Sequence, residues 1–278
     1  MNCIISYIRQ SLEPFYPKEE IKPLLMMICC DMLGIDAIDI YLDKDITLSQ
    51  SKQRDLENII MRLQNNEPIQ YIRGYAEFLG SRFRVAPGVL IPRPETAELV
   101  ELIVKENTSP LRLLDIGTGS GCIAISLDKL LPGAQVEAWD ISTDALAIAD
   151  YNNKELDARV TFKQQDVFGT TADTSELFDV IVSNPPYVTE SEKKEMDANV
   201  LNWEPECALF VPDVDPLRYY IRIADLGQKL LRKGGKIYFE INQTYKQDMI
   251  QMMDDKKYQN VRVLKDIFGK NRILIANR

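Results

Sequence analysis

The chain has 278 residues, 33 of them Lys or Arg and 42 Asp or Glu, for a formal net charge of −9. That length accommodates one sizeable α/β core and a smaller domain, and the acidic balance gives no general attraction to phosphate backbones. There is no histidine, so the commonest general base is missing and any chemistry rests on carboxylates, amides, backbone carbonyls or a cofactor.

Apolar runs stay short of the ~20 residues that span a bilayer, and the N-terminus lacks the basic lead and apolar block of a signal peptide. Cys3, Cys29, Cys30, Cys122 and Cys207 form no Cys-x-x-Cys pair. Together these features predict a reduced, cytoplasmic protein with no membrane association and no metal.

Residues 1–68 are predicted to form a small helical bundle. Ile21, Leu24, Leu25, Ile28 and Met32 recur at helical spacing before Gly34, and a second helix starting at Thr47 carries Leu56, Ile59, Ile60 and Leu63. Such a stripe reads as core. Over 69–92, Gly74, Gly80 and Gly88 punctuate aromatic and branched residues, which predicts a β-hairpin linking two domains. Pro92 and Pro94 lead into a helix over 95–106. From residue 111 onward strand and helix alternate, with strands expected at 111–116, 135–140, 160–165, 178–183, 236–241, 261–265 and 272–276. A helix over 216–233 is expected to stop at Gly234-Gly235. Repeated β-α-β units predict an α/β fold over 93–278, a doubly wound, seven-stranded, mostly parallel sheet.

The first of those strands runs into Asp115-Ile116-Gly117-Thr118-Gly119-Ser120-Gly121 and then Cys122. A dinucleotide fingerprint needs glycine at 122; the G-x-G-x-G spacing instead fits a turn that holds the amino-acid part of S-adenosylmethionine. Asp140 ends the second strand, where a carboxylate can accept from both ribose hydroxyls. Asp166 and Phe168 follow the third, where a carboxylate can accept from an adenine amino group and a ring can stack on the base. Each carboxylate alone also reads as a cap or a solvated loop, but sites at three successive strand ends point to one ligand. The fourth strand ends in Ser183-Asn184-Pro185-Pro186-Tyr187. An amide or aromatic amine nitrogen is a poor nucleophile because its lone pair is delocalised. If Asn184 and a proline carbonyl accept its two N–H groups, the lone pair turns toward a sulfonium methyl. Tyr187 is then expected to pack on the planar group or to bond its oxygen.

The chain resembles the peptide-chain-release-factor glutamine methyltransferases (PrmC/HemK). The resemblance rests on QYIRGYAEFLGSRFRV (70–85), VLIPRPET (89–96), LLDIGTGSGCIAI (113–125), SNPPYV (183–188), EPECAL (204–209) and KDIFGKNR (265–272). The Asn-Pro-Pro-Tyr motif is shared with adenine-N6 and guanine-N2 methyltransferases; IPRPET is more specific. The resemblance implies a Rossmann-like methyltransferase domain that uses S-adenosylmethionine and releases S-adenosylhomocysteine. It implies methylation of the glutamine in the Gly-Gly-Gln loop of class I release factors, with the helical domain and hairpin contacting that protein. Carried over, Asp115, Gly117, Thr118, Gly119, Ser120, Gly121, Asp140, Asp166, Phe168 and Asn184 serve the cofactor. Asn184, Pro185, Pro186 and Tyr187 hold the glutamine. Arg93 and Glu95 lie in the IPRPET stretch as substrate-side candidates, for which a helix-start salt bridge is the plain alternative. Two departures from the family pattern stand out: Glu240-Ile-Asn242 replaces Glu-Ile-Gly, and FVPDVDPL after Leu209 lacks its glycine.

Two other functions are compatible with the motifs. A nucleic-acid base methyltransferase uses the same turn on a flipped base, but this chain has no Lys/Arg-rich run to form a basic groove. A non-catalytic cofactor-binding module is expected to have lost one of the two motifs, and both are intact.

Overall fold

A computed structural model describes residues 3–42, 44–108, 110–171 and 177–278. The helices are α1 (Cys3–Leu12), α2 (Lys18–Met26), α3 (Ala37–Tyr41), α4 (Gln50–Gln64), α5 (Ile69–Arg73), α6 (Pro94–Glu106), α7 (Cys122–Leu130), α8 (Thr143–Glu155), α9 (Ala198–Trp203), α10 (Glu206–Leu209), α11 (Arg218–Leu230) and α12 (Lys246–Asp255). The strands are β1 (Tyr75–Phe78), β2 (Ser81–Arg84), β3 (Arg112–Ile116), β4 (Gln135–Asp140), β5 (Thr161–Gln164), β6 (Phe178–Ser183), β7 (Val188–Thr189), β8 (Phe210–Val211), β9 (Leu231–Glu240), β10 (Gln259–Lys265) and β11 (Asn271–Asn277). Packing divides them into two compact units. One is the chain up to Gly74 with Asp197–Trp203; the other is Tyr75–Met196 with Glu204–Arg278.

The first unit is helical. Ile8 and Leu12 of α1, Leu24 and Leu25 of α2, and Leu56, Ile60 and Leu63 of α4 share one buried cluster. The apolar stripe past Ile28 continues α2 as a π-helical turn, Met27–Met32. Ser49 caps α4, its hydroxyl accepting from the Lys52 amide at 3.3 Å. The Trp203 indole N–H donates to the Asn65 carbonyl at 3.1 Å, within the same unit.

The second unit is built on the seven-stranded sheet, ordered β10-β11-β9-β6-β3-β4-β5. β9, β6, β3, β4 and β5 run parallel, and β10 and β11 close one edge antiparallel. Successive residues of β3 alternate between the two faces: Leu113 packs with α6 and α7, and Leu114 with α11 and α12. Burial on both faces is why the strands read as near-continuous apolar runs.

Two expectations are corrected. The β-hairpin is narrower than 69–92 and belongs to the second unit. Pro68 and the left-handed Gly74 bracket one helical turn, α5, and only Tyr75–Arg84 pairs as β1–β2. Phe78 and Phe83 belong to the same core as α6 and α7, which ties the hairpin to the sheet. The Gly234-Gly235 pair is not a helix stop either, since α11 ends at Leu230 and β9 runs through both glycines. A Cβ on Gly235 meets the carbonyl oxygens of Arg232 at 2.9 Å and Asp179 at 3.0 Å; close backbone approach at a bulge explains the glycine.

Candidate active site

The carboxyl ends of β3, β4, β5 and β6 lie side by side, and the loops leaving them form the site. Past β3 the backbone turns sharply, with Gly117, Gly119 and Gly121 all at positive φ. The turn is fixed from β4: the Gly117 and Thr118 amides donate to the Trp139 carbonyl at 2.8 and 3.0 Å, and the Gly119 amide to Asp140 Oδ2 at 2.8 Å. Nothing stands within 4 Å of where a Cβ on Gly117 or Gly119 would sit, whereas one on Gly121 meets Ile125 Cδ1 at 2.9 Å and Ala149 Cβ at 3.2 Å. The first two glycines therefore open the turn toward a ligand, and the third lets α7 pack against α8.

Asp115 lies under this turn, fully buried. Its Oδ2 accepts from the Thr118 hydroxyl at 2.7 Å, and its Oδ1 has no hydrogen-bond partner among the described residues. Burial, with Asp140 nearby, pushes its carboxyl up to about 7. A carboxyl held above its ordinary 3.8 contributes stability below about pH 4, lost as pH rises through about 7. The protein without cofactor is thus expected to lose urea resistance between about pH 4 and 7, and Asp115→Asn to flatten that slope. Equal slopes in the two proteins contradict the assignment.

Asp140 Oδ1 accepts from the Ser142 amide at 2.9 Å, so the carboxylate holds both the glycine turn and the start of α8. Asp166 is exposed and organises its own loop, Oδ1 accepting from the Phe168 amide at 2.9 Å. The Phe168 ring leans on Tyr219 at 5.2 Å, with the Arg218 guanidinium 4.8 Å from its centre.

At the end of β6, Asn184 Nδ2 donates to Thr96 Oγ1 at 3.2 Å, and Thr96 donates to Glu240 Oε2 at 2.7 Å. Asn184 Oδ1 makes no hydrogen bond among the described residues. Two roles are expected for Tyr187, packing on the planar group or bonding its oxygen; in the structure its hydroxyl donates to Glu240 Oε1 at 3.0 Å and accepts from Arg272 Nη1 at 3.3 Å. Burial, then the Glu240 charge, raises the Tyr187 phenol far above its ordinary range, and burial raises Glu240. Asn242, where the family pattern has glycine, donates to the Tyr187 carbonyl at 3.3 Å and to Glu192 at 3.0 Å, tying down the backbone after the turn.

A cavity of ≈ 290 Å³ joins these pieces. Of the residues singled out in the sequence, Gly117, Gly119, Asp140, Asp166, Phe168, Asn184, Pro185 and Pro186 line it. Asp115, Thr118, Ser120 and Gly121 support the turn without lining the cavity. Arg93 and Glu95 do not line it either: Arg93 pairs with buried Glu204 at 2.5 Å, and the same carboxylate accepts from the Ile91 amide at 3.1 Å.

Residues 95–202 match the model of the Methyltransferase small domain, and residues 7–74 match that of the PrmC N-terminal domain. A release factor glutamine methyltransferase from Bacteroides thetaiotaomicron is 72% identical over 278 residues, covering 100% of both chains. The chain belongs to the release factor glutamine methyltransferase family. Another member, from Flavobacterium psychrophilum, is 41% identical over 96% of this chain and 95% of its own. Among solved structures, a methyltransferase from Pyrococcus furiosus is 18% identical, with TM-score 0.53 over 80% of this chain and 98% of its own. A 16S rRNA N2 methyltransferase from T. thermophilus, in complex with AdoMet and guanosine, is 19% identical, with TM-score 0.54 over 73% of this chain and 49% of its own. At these identities the two structures share the fold, a Rossmann-like methyltransferase sheet.

Several residues important to this family member's site have no local sequence signal. Arg218 and Tyr219 line the cavity from the start of α11. Buried Asn152 donates to the Ser120 carbonyl at 2.8 Å and accepts from the Arg84 amide at 2.7 Å, joining β2 to the glycine turn. Thr96, Glu240, Arg272 and Glu204 stand inside family motifs, but their partners appear only in three dimensions.

Proposed function

We propose that this chain transfers a methyl group from S-adenosylmethionine to the side-chain nitrogen of the glutamine in the Gly-Gly-Gln loop of class I release factors, leaving S-adenosylhomocysteine. The observation that carries this reading is one cavity lined both by an open glycine turn and by an Asn184 whose amide oxygen bonds to nothing among the described residues. The residues present fit the cofactor. The bare faces of Gly117 and Gly119 suit its amino-acid end, Asp140 can still accept at its remaining lone pairs, and Phe168 offers a ring for a flat base. Bound there, S-adenosylmethionine supplies an electrophilic methyl on a sulfonium.

The protein's own contribution is alignment. Asn184 Oδ1 accepts one N–H of the glutamine amide, and a carbonyl of the Pro185-Pro186 turn, which has no N–H of its own to offer, accepts the other. Held this way, the nitrogen presents its lone pair to the methyl, and the proton released on methylation leaves to solvent. Tyr187 braces the turn through its hydrogen bond to Glu240. The helical unit, matched by the PrmC N-terminal model, is the part assigned to recognising the release factor. All five cysteines are free, which fits a reduced cytoplasmic setting, and no helix among the described residues is long and apolar enough to cross a membrane.

Labelled cofactor offered to a release factor, to DNA and to RNA in parallel tests this reading. Label is expected in the release factor alone; label in either nucleic acid overturns it.

A further inference from the structure

We infer that Glu240, acting through Thr96, decides which atom of the Asn184 side-chain amide faces the substrate, making Thr96 and Glu240 positioning residues for methyl transfer. The oxygen and nitrogen of an asparagine amide are nearly the same size, so the shape of a pocket does not choose between them. Only the hydrogen-bonding sense of a neighbour does.

That neighbour is Thr96. Its hydroxyl has one hydrogen, which it donates to Glu240 Oε2 at 2.7 Å. Thr96 Oγ1 has therefore given its hydrogen away and can only accept from Asn184, 3.2 Å distant. Asn184 must turn Nδ2 toward Thr96, which leaves Oδ1 as the atom offered to a ligand. The other side of Glu240 enforces the same sense. Arg272 cannot accept, so it donates to Tyr187 Oη at 3.3 Å, and Tyr187 passes its hydrogen to Glu240 Oε1 at 3.0 Å. Asp266 holds Arg272 from behind at 3.2 Å. The hydroxyl hydrogens of Thr96 and Tyr187 both run to Glu240. Thr96 is 3% and Glu240 1% exposed, so bulk water does not compete for these bonds.

With the opposite sense, Asn184 would aim two N–H groups at the substrate's own N–H₂, and no alignment would follow. This inference rests on the proposed function, in which the ligand presents an N–H to Asn184, and the experiment separates the two. If the wild type fails to methylate a release factor, the proposed function falls. If the wild type methylates it and the Thr96 variants behave like the wild type, only this inference falls.

Thr96→Val keeps the side chain's shape and removes the hydroxyl. It is expected to lower kcat between about ten- and a hundredfold, with KM for the release factor and the dissociation constant for S-adenosylhomocysteine moving less than about threefold. Thr96→Ser, which returns the hydroxyl, should recover most of the lost rate. In an Asn184→Ala background, Thr96→Val should cost nothing further, because there is no amide left to orient. An undiminished kcat, an equal loss in both backgrounds, or no recovery with serine overturns the inference. Should Thr96→Val not fold, neutron diffraction from deuterium-exchanged wild-type crystals gives the answer without a variant. Two deuterons on the Asn184 atom facing Thr96 are expected; deuterons on the cavity-facing atom contradict it.

Discussion

Asn184→Ala is expected to slow methyl transfer by on the order of a hundredfold or more while the affinity for S-adenosylmethionine stays within about threefold of wild type. The reason is the division of labour in the cavity. The glycine turn, Asp140, Phe168 and Asn184 all line it; in the function proposed above the first three serve the cofactor and Asn184 the reacting nitrogen. Its amide oxygen makes no bond among the described residues, so truncation deprives the substrate of an acceptor without disturbing the cofactor's contacts. The neighbouring hydroxyl of Thr96 keeps its bond to Glu240, so the buried network survives the change. Single-turnover rates with a release factor, together with calorimetric titration of the cofactor, check both halves. Equal losses in rate and in cofactor affinity contradict the positioning role.

Asp140→Ala is expected to act on the other quantity, weakening cofactor binding by roughly 1.5–3 kcal/mol, the scale of hydrogen bonds to a charged group. Asp140 has two functions in the site. In the proposed function its carboxylate offers acceptors to the ribose, and in the structure it holds the Gly119 amide at 2.8 Å and the Ser142 amide at 2.9 Å. Losing it frees the glycine turn as well as the ligand, which places the effect toward the upper end of that range. An unchanged dissociation constant by calorimetry rules out the ribose assignment.

How much of this was readable in the chain depended on how local each feature is. The parallel strands announced themselves because a strand covered on both faces has no polar side, as β6 with its burial from Val180 to Ser183 illustrates. The strand-end positions followed from the sheet, so the gathering of Gly117, Gly119, Asp140, Phe168 and Asn184 around one cavity was legible in the sequence. Composition misled where flanking residues overruled it. IQYIRGY looks like strand, yet Pro68 and Gly74 close Ile69–Arg73 into a helical turn. Gly234-Gly235 looks like a helix stop, but the space beside Arg232 and Asp179 demands glycine within a strand.

Long-range partners left no trace in the sequence. Thr96 and Glu240 are 144 positions apart, and Tyr187 meets Arg272 across 85. Nothing near Tyr187 indicated that its hydroxyl turns inward to a buried carboxylate. Arg218 and Tyr219 reach the cavity because α11 begins beside it, which the helical period of that segment does not disclose.

At the centre of this account is a glutamine amide aligned by carbonyl-type acceptors for attack on a sulfonium methyl. The most direct measurement is tandem mass spectrometry of a class I release factor after incubation with the protein and S-adenosylmethionine. One added methyl on the side-chain nitrogen of the Gly-Gly-Gln glutamine, absent when that residue is replaced, is the predicted result. A methyl on any other residue, or one that persists after the replacement, contradicts it.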